Sequence, residues 1–168
     1  SLDRRWQNRI SIDTSLRVAM STSATCSTTL EWAFKNLGLE NNEQRDALFA
    51  EAAKIPSGES VPLVLPYIFA SPFGEAPSGS ILGVRAGHSP AHFLKGVLEG
   101  IVYMHAYHTG ALRDKFTFGD RIRLSGGVSN SGLYSQMVAN AIGMPVEVVS
   151  NDETGALGVA ALAAKGVG

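Results

Sequence analysis

Between residues 121 and 131 the sequence reads Arg-Ile-Arg-Leu-Ser-Gly-Gly-Val-Ser-Asn-Ser, a strand-like segment that stops at two consecutive glycines and resumes with small polar residues. The chemistry this pattern suits is nucleotide binding. Gly126 and Gly127 lack a Cβ and can take positive φ, so a phosphate or ribose can lie against bare main chain. A helix opening at Asn130 and Ser131 would offer its first N–H groups, at the positive end of its dipole, to an anion. In α/β sheets ligands gather at the carboxyl ends of the strands, which is where this glycine pair falls. A Gly-Gly turn between strand and helix is also ordinary backbone geometry, and taken alone the pattern leaves both readings open.

The other reactive side chains carry less. His105 and His108 stand three apart on one helical face, but no third ligand lies at a recognisable spacing, so both read as structural or solvent-facing. His88 and His92 straddle a helix start and are read the same way. Glu99 has no companion carboxylate pattern and reads as a helix-surface or interdomain hydrogen-bonding group. The single Cys26 can form neither an internal disulfide nor a thiolate metal site, which points to a small core residue in a reduced, cytoplasmic protein. No catalytic residue and no metal ligand is assigned.

Positioning the glycine turn requires alternating strands and helices. Residues 10–20 alternate apolar and polar side chains and predict one or two short strands. A helix is expected from the Ser/Thr-rich start at Ser23 to Leu37, closed by Gly38, and another over 43–54. Residues 56–60 read as a loop, 61–68 as an extended segment kept irregular by Pro62 and Pro66, 70–79 as a second loop, and 81–84 as a short strand. Ser89 and Pro90 supply an N-cap and a first helical residue. The helix after them buries Phe93, Leu94, Val97, Leu98, Ile101, Val102 and Leu112 and turns Lys95, Glu99 and Arg113 away. A strand at 121–124, a helix from Asn130 stopped by Gly143 and Pro145, and a strand at 146–149 follow. The last helix, capped by Asn151 and Asp152, carries Gly155, Ala156, Gly158, Ala160, Ala161 and Ala164, a face suited to tight packing. The order is that of an α/β protein.

Composition narrows the function classes. The 168 residues fit a single domain over 1–168, and 17% charged with 45% hydrophobic residues describe a folding chain. Fourteen Lys and Arg against fifteen Asp and Glu give a net charge of −1 with no basic cluster, so nucleic acid is not an expected partner. No apolar run approaches the roughly 18 residues of a membrane span, so no membrane partner is expected. The start, Ser1 to Trp6, lacks Met and an apolar stretch and reads as a cut end rather than a signal peptide.

Several segments together resemble the C-terminal part of FGGY-family carbohydrate kinases. These are Gly126-Gly127-Val128-Ser129-Asn130-Ser131, then Leu133, Val138, Ala141, Pro145 to Val148, and Glu153 to Ala160. The run Gly79-Ser80-Ile81-Leu82-Gly83-Val84, with His92-Phe93 and Gly96-Val97-Leu98-Glu99 downstream, is similar to the family's second signature; Gly96 departs from it, since the pattern has Ala or Ser there. Ser21 to Trp32 resembles the family's segment beside the adenine pocket, and Leu65-Pro66-Tyr67 its Leu-Pro-Tyr strand, so the likeness covers about residues 18–168.

The resemblance implies the C-terminal actin-like ATPase (ribonuclease H-like) domain of a sugar kinase, incomplete and without its N-terminal domain. It implies that the whole protein phosphorylates a hydroxyl of a small sugar or polyol with ATP and Mg²⁺, this chain supplying the adenine-nucleotide-binding half. Gly127 would meet the nucleotide phosphates, with Gly126 beside it among the nucleotide-binding residues. Asn130 and Ser131 fall in the same motif, Ser131 where an Asn or Ser contacts adenine, with Ser27 and Glu31 near the other wall, where related kinases often have Gly and Gln. The family's catalytic Asp, in a Gly and Asp-rich motif, has no counterpart here, and the Gly-Glu-Arg-x-Pro after Leu-Pro-Tyr is altered over residues 68–77. The fragment by itself is therefore expected to be inactive, since phosphoryl transfer needs nucleotide, metal and acceptor positioned together. The partners expected are the sugar or polyol, ATP, the N-terminal kinase domain and a second copy in a homodimer. The segment at Leu30-Glu31-Trp32 and the altered loop are most similar to pentulose or L-xylulose-type kinases. The alternative is a non-catalytic actin-like nucleotide-binding or scaffold module.

Overall fold

The structure, a computed structural model, describes residues 5–22, 25–75, 77–150 and 153–167. The chain divides into two compact units, one comprising Ser1–Ser21 with His108–Gly168, the other Thr22–Tyr107.

In the Thr22–Tyr107 unit, α1 (Ser27–Asn36) ends at Leu37, and Gly38 follows with φ of +72°, the left-handed residue that closes a helix. The expected start at Ser23 lies outside the described residues; the helix itself begins after Cys26, which stands at its N-cap. Next, α2 (Asn42–Lys54) starts in a capping box: the Asn41 side chain accepts from Gln44 N, and the Gln44 side chain accepts from Asn41 N. Two short strands, β3 (Leu63–Leu65) and β4 (Ser80–Leu82), form an antiparallel pair, Val64 opposite Ile81.

Then α3 (Pro90–Arg113), whose residues from His108 onward belong to the other unit, begins as the Ser89-Pro90 pair predicts. His92, the third residue of the helix, accepts the Ser89 N–H on Nδ1 at 3.1 Å and pairs through Nε2 with Glu59 at 3.0 Å. That is the capping-box role usually filled by Glu or Gln, and it accounts for this histidine structurally. His88 stacks on it, with ring centroids 5.4 Å apart.

The apolar stripe of α3 is buried as its spacing predicts, at Leu94, Val97, Leu98, Ile101 and Val102. Lys95 departs from the expectation, for it is buried too. Its ammonium donates to the carbonyl oxygens of Ile55 and Pro56 at the end of α2, so the charge meets the negative end of a helix while the stem packs inside. Glu99, also expected to face away, is half-buried, and burial pushes its carboxyl above the usual range, partly offset by the Lys95 charge. Gly96 and Gly100 sit against the β3 segment: a Cβ at Gly96 would meet Pro62 O, and one at Gly100 would meet Val64 O. The Gly96 departure from the family signature thus has a steric reason.

In the other unit, β1 (Gln7–Ile10) and β2 (Arg17–Met20) form an antiparallel hairpin with Gln7 opposite Met20, so of the range 10–20 only Ile10 and residues 17–20 are strand, and the first strand lies mostly ahead of the expected range. Its turn is an Asx motif, with Asp13 Oδ1 accepting from Ser15 N and Ser15 Oγ; these bonds hold the Asp13 carboxyl below the usual carboxylate range. The strands β5 (Ile122–Leu124) and β6 (Val146–Val148) pair in parallel, Ile122 opposite Val146 and Leu124 opposite Val148. Between them lies α4 (Gly132–Ile142), whose Tyr134, Val138 and Ile142 are buried at a spacing of four and whose end is Gly143 at φ of +70°.

The last helix, α5 (Thr154–Val167), corrects the tight-packing expectation. None of its residues is buried, and among the described residues nothing lies within 4 Å of a Cβ built at Gly155 or Gly158. Small residues permit close approach without supplying a neighbour. The expected caps Asn151 and Asp152 lie outside the described residues. Among the described residues no helix is long and apolar enough to cross a membrane.

Candidate nucleotide site

The glycine turn leaves the carboxyl end of β5, where Val149 N donates to Leu124 O and extends the parallel pairing one residue beyond β6. Gly126 then takes φ of +106° with ψ of 164°, a backbone region essentially reserved for glycine. Gly127 does not have positive φ; it begins a short 3-10 helix over Gly127–Asn130 that the sequence pattern did not foresee. The α-helix after it therefore starts at Gly132, with Ser131 as its N-cap, and not at Asn130.

Serine hydroxyls hold the turn in place. Ser129 is buried, and both its N–H (2.9 Å) and its Oγ (2.6 Å) donate to Gly126 O. Ser135 Oγ donates to Ser129 O at 2.9 Å, and Ser131 Oγ accepts from Tyr134 N at 3.4 Å. These bonds fix the turn from inside and leave Gly126 and Gly127 exposed, with nothing among the described residues within 4 Å of a Cβ built on either. The open main chain thus has room for a ligand group. Asn130 is exposed, whereas Ser131 is half-buried and serves the helix as its cap.

Ser129 and Ser135 are the residues that sequence reasoning missed here. Serine six residues after serine has no meaning until the helix brings them together. At the foot of the strands, the Arg121 guanidinium holds the Asp120 carboxyl below the usual carboxylate range and lies 3.7 Å from Glu147. All three are exposed, so these pairs orient little.

The structure places Ser27 and Glu31 in the Thr22–Tyr107 unit, on the first and second turns of α1, both exposed. Glu31 borders a cleft of about 740 Å³ within that unit, which Thr28, Trp32, Lys35, Arg45 and Phe69 also line. Arg45, from α2, reaches Glu31 with both terminal nitrogens, Nη1 to Oε1 at 3.1 Å and Nη2 to Oε2 at 3.0 Å. Its guanidinium lies 4.6 Å from the centre of the buried Phe34 ring. No local pattern signals a partner fourteen residues away on the next helix. A second cleft, of about 570 Å³, follows the Leu-Pro-Tyr segment and is lined by residues of the altered loop, among them Phe69, Ser71, Glu75 and Pro77.

The histidines supply no alternative centre. His108 is buried, with Nδ1 2.6 Å from Ser21 Oγ, and burial lowers its pKa. Among the described residues no group of three or more His, Cys, Asp or Glu side chains could hold a metal ion.

Known structures share this fold. The xylulose kinase from Rhodospirillum rubrum superposes with a TM-score of 0.72 at 27% identity, over 90% of this chain and 30% of its own. The fold is thus α/β, that of the C-terminal actin-like domain of sugar kinases. In sequence the chain is 31% identical to the L-xylulose/3-keto-L-gulonate kinase of Escherichia coli over 146 residues, 87% of this chain and 29% of that protein. It is also 31% identical to a probable L-xylulose kinase of Pasteurella multocida over 145 residues, 86% of this chain and 29% of the relative. The family model for the FGGY family of carbohydrate kinases, C-terminal domain, matches residues 7–167. The chain belongs to the FGGY family of carbohydrate kinases, and it spans about 29% of the length of the relatives it matches.

Proposed function

We propose that the whole protein transfers the γ-phosphoryl group of ATP to a hydroxyl of a small sugar or polyol, and that this chain supplies nucleotide-binding residues. The observation that carries the reading is the turn from Gly126 to Ser131 at the carboxyl end of β5, bare on its outer side and braced by Ser129 and Ser135 on its inner side. A phosphoryl-transfer catalyst acts mainly by positioning and by stabilising charge, which a fixed turn of main-chain donors can do without a reactive side chain. Gly126 and Gly127 would lie against the nucleotide phosphates, Asn130 beside them, and Ser131 against the adenine. Ser27 and Glu31 are assigned as nucleotide contacts within their own unit.

Mg²⁺ belongs to the same proposal. It would supply positive charge that neutralises the nucleotide phosphates during transfer. No residue of this chain is assigned to it. A pentulose of the L-xylulose type is the acceptor we favour, on the likeness to the two relatives of that name. The proposal sets the protein in the cytoplasm, in keeping with its single cysteine. The scaffold alternative is not favoured, since the relatives cited carry kinase names.

Calorimetry with ADP on the full-length protein tests the reading, together with turnover on a panel of pentuloses, hexuloses and glycerol. Gly127→Ala is the informative variant, because among the described residues nothing lies within 4 Å of the added methyl, while a phosphate against the turn would meet it. We expect at least tenfold weaker ADP binding. No ADP binding by the wild type, with Gly127→Ala leaving turnover unchanged, would end the assignment.

A further inference from the structure

The loop after the Leu-Pro-Tyr segment is fixed more firmly than an exposed connection requires. Phe73 packs edge-on against two rings of its own unit, Tyr67 with centroids 5.8 Å apart and Tyr107 at 5.3 Å. The Tyr67 hydroxyl is itself held, 3.6 Å from Met104 Sδ on α3. Ser71 Oγ accepts the Phe73 N–H at 3.0 Å, and Gly74 turns the chain with φ of +110°. At the base a Cβ on Gly79 would meet the Ile68 side chain and Leu65 O, so the two ends of the loop close on each other. Yet Phe69 and Phe73 remain 59% and 53% open to water. Bracing that leaves aromatic surface uncovered forms a cleft before any ligand arrives, and preorganisation raises affinity.

The cleft, of about 570 Å³, suits one small molecule. Phe69 gives it a ring, Ser71 and Ser78 give hydroxyls, and Glu75 gives a carboxylate. The Ser71 oxygen already accepts a main-chain hydrogen bond, which leaves its O–H to donate. Glu75 is exposed and has no hydrogen bond or ion pair among the described residues. Its oxygens accept and do not donate. No Lys, Arg or His is among the described residues that line the cleft, so a phosphate or a sugar acid would face Glu75 with nothing to offset its charge. A sugar or polyol meets each group. Its hydroxyls donate and accept, and its C–H face carries the slight positive charge that the face of an aromatic ring attracts.

We infer that this cleft binds an uncharged sugar or polyol, Glu75 and Ser71 taking hydroxyl groups and Phe69 the C–H face, and that it rejects the phosphate ester of the same compound. None of these residues is assigned to the nucleotide, so the inference stands or falls apart from that reading.

Amide hydrogen exchange in the full-length protein, read over residues 67–79, tests this with xylitol, sorbitol, glycerol and D-xylulose as probes. The phosphate ester of D-xylulose and choline, an organic cation, serve as controls. At least one uncharged probe should slow exchange in that segment, and neither control should. Glu75→Ala should raise the concentration of that probe needed for half protection about tenfold, the loss expected with one hydrogen bond to a charged group. Glu75→Lys should turn the preference toward the phosphate ester. Both variants should unfold thermally close to the wild type, because the side chain is exposed. Exchange unaltered by all the uncharged probes overturns the inference. So does protection by choline or by the phosphate ester alone, or protection that Glu75→Ala leaves unchanged. ADP calorimetry on the same protein judges the nucleotide reading separately.

Discussion

The Nζ of Lys95 lies 2.6 Å from the carbonyl oxygen of Ile55, forty residues earlier in the chain, and makes a second bond to Pro56 O at 3.1 Å. A cation on the second turn of α3 thereby closes the C-terminus of α2. Hydrogen bonds to a charged group contribute about 1.5–3 kcal/mol each at most, and Lys95 is nearly inaccessible to water. Lys95→Met, which keeps the apolar stem, should lower the unfolding free energy by about 2 kcal/mol. Urea unfolding checks this; an unchanged midpoint would show that the two carbonyls lose nothing with the ammonium.

Two glycines on α3 should respond to alanine with opposite signs. At Gly96 the added methyl meets Pro62 O, a backbone atom that cannot rotate aside, so Gly96→Ala should cost about 1–3 kcal/mol. At Gly110 nothing lies within 4 Å, and helix propensity favours alanine by about 1 kcal/mol. Thermal melts of the two variants should move in opposite directions, and a shared direction would contradict the packing described for β3 against α3.

His108 predicts a pH dependence. Burial lowers its pKa below the ordinary 6.5, so the unfolded chain takes up a proton more readily than the folded one. Its contribution to stability is full at neutral and higher pH, falls as pH drops through 6.5, and stops falling below the folded pKa. His108→Gln, compared with the wild type by urea unfolding from pH 8 to pH 5, should flatten the curve in that window.

Glu99 should act in the opposite direction. Its folded pKa is raised above 4.5, so the folded state holds the proton more tightly, and stability from this group is lost as pH rises through the folded pKa. Glu99→Gln should therefore raise the melting temperature at pH 7 and leave it nearly unchanged at pH 4. A gain of equal size at both values would show that the carboxylate's charge is not the cause.

Much of the chain's local structure was legible because its causes are local. Gly38 and Gly143 end helices by a conformation each adopts alone, and Ser89-Pro90 starts one through groups within a single turn. The stripe at Leu94, Val97, Leu98 and Ile101 follows from helical period and burial. The ordered motifs from residue 79 to residue 160 were enough to indicate the family that the comparisons then showed.

The candidate site was legible in position but not in form. The pattern at Gly126 and Gly127 located an exposed turn at a strand end, yet the 3-10 helix depends on Ser129 reaching back to Gly126 O and on Ser135 reaching Ser129 O. In α5, small residues could be read as a packing face, but whether any neighbour meets that face is a property of the surrounding chain. Lys95 looked solvent-facing because a lysine's charge is costly to bury, and only the arrival of the Ile55 and Pro56 carbonyls offsets that cost. The same holds for Arg45 and Glu31, which belong to different helices and meet only after both have formed and packed. Residue type and short-range spacing settle where the backbone turns and which face is apolar. Which polar atoms become partners is settled by tertiary packing, because a hydrogen bond depends on distances of a few tenths of an ångström between groups that the chain alone keeps far apart.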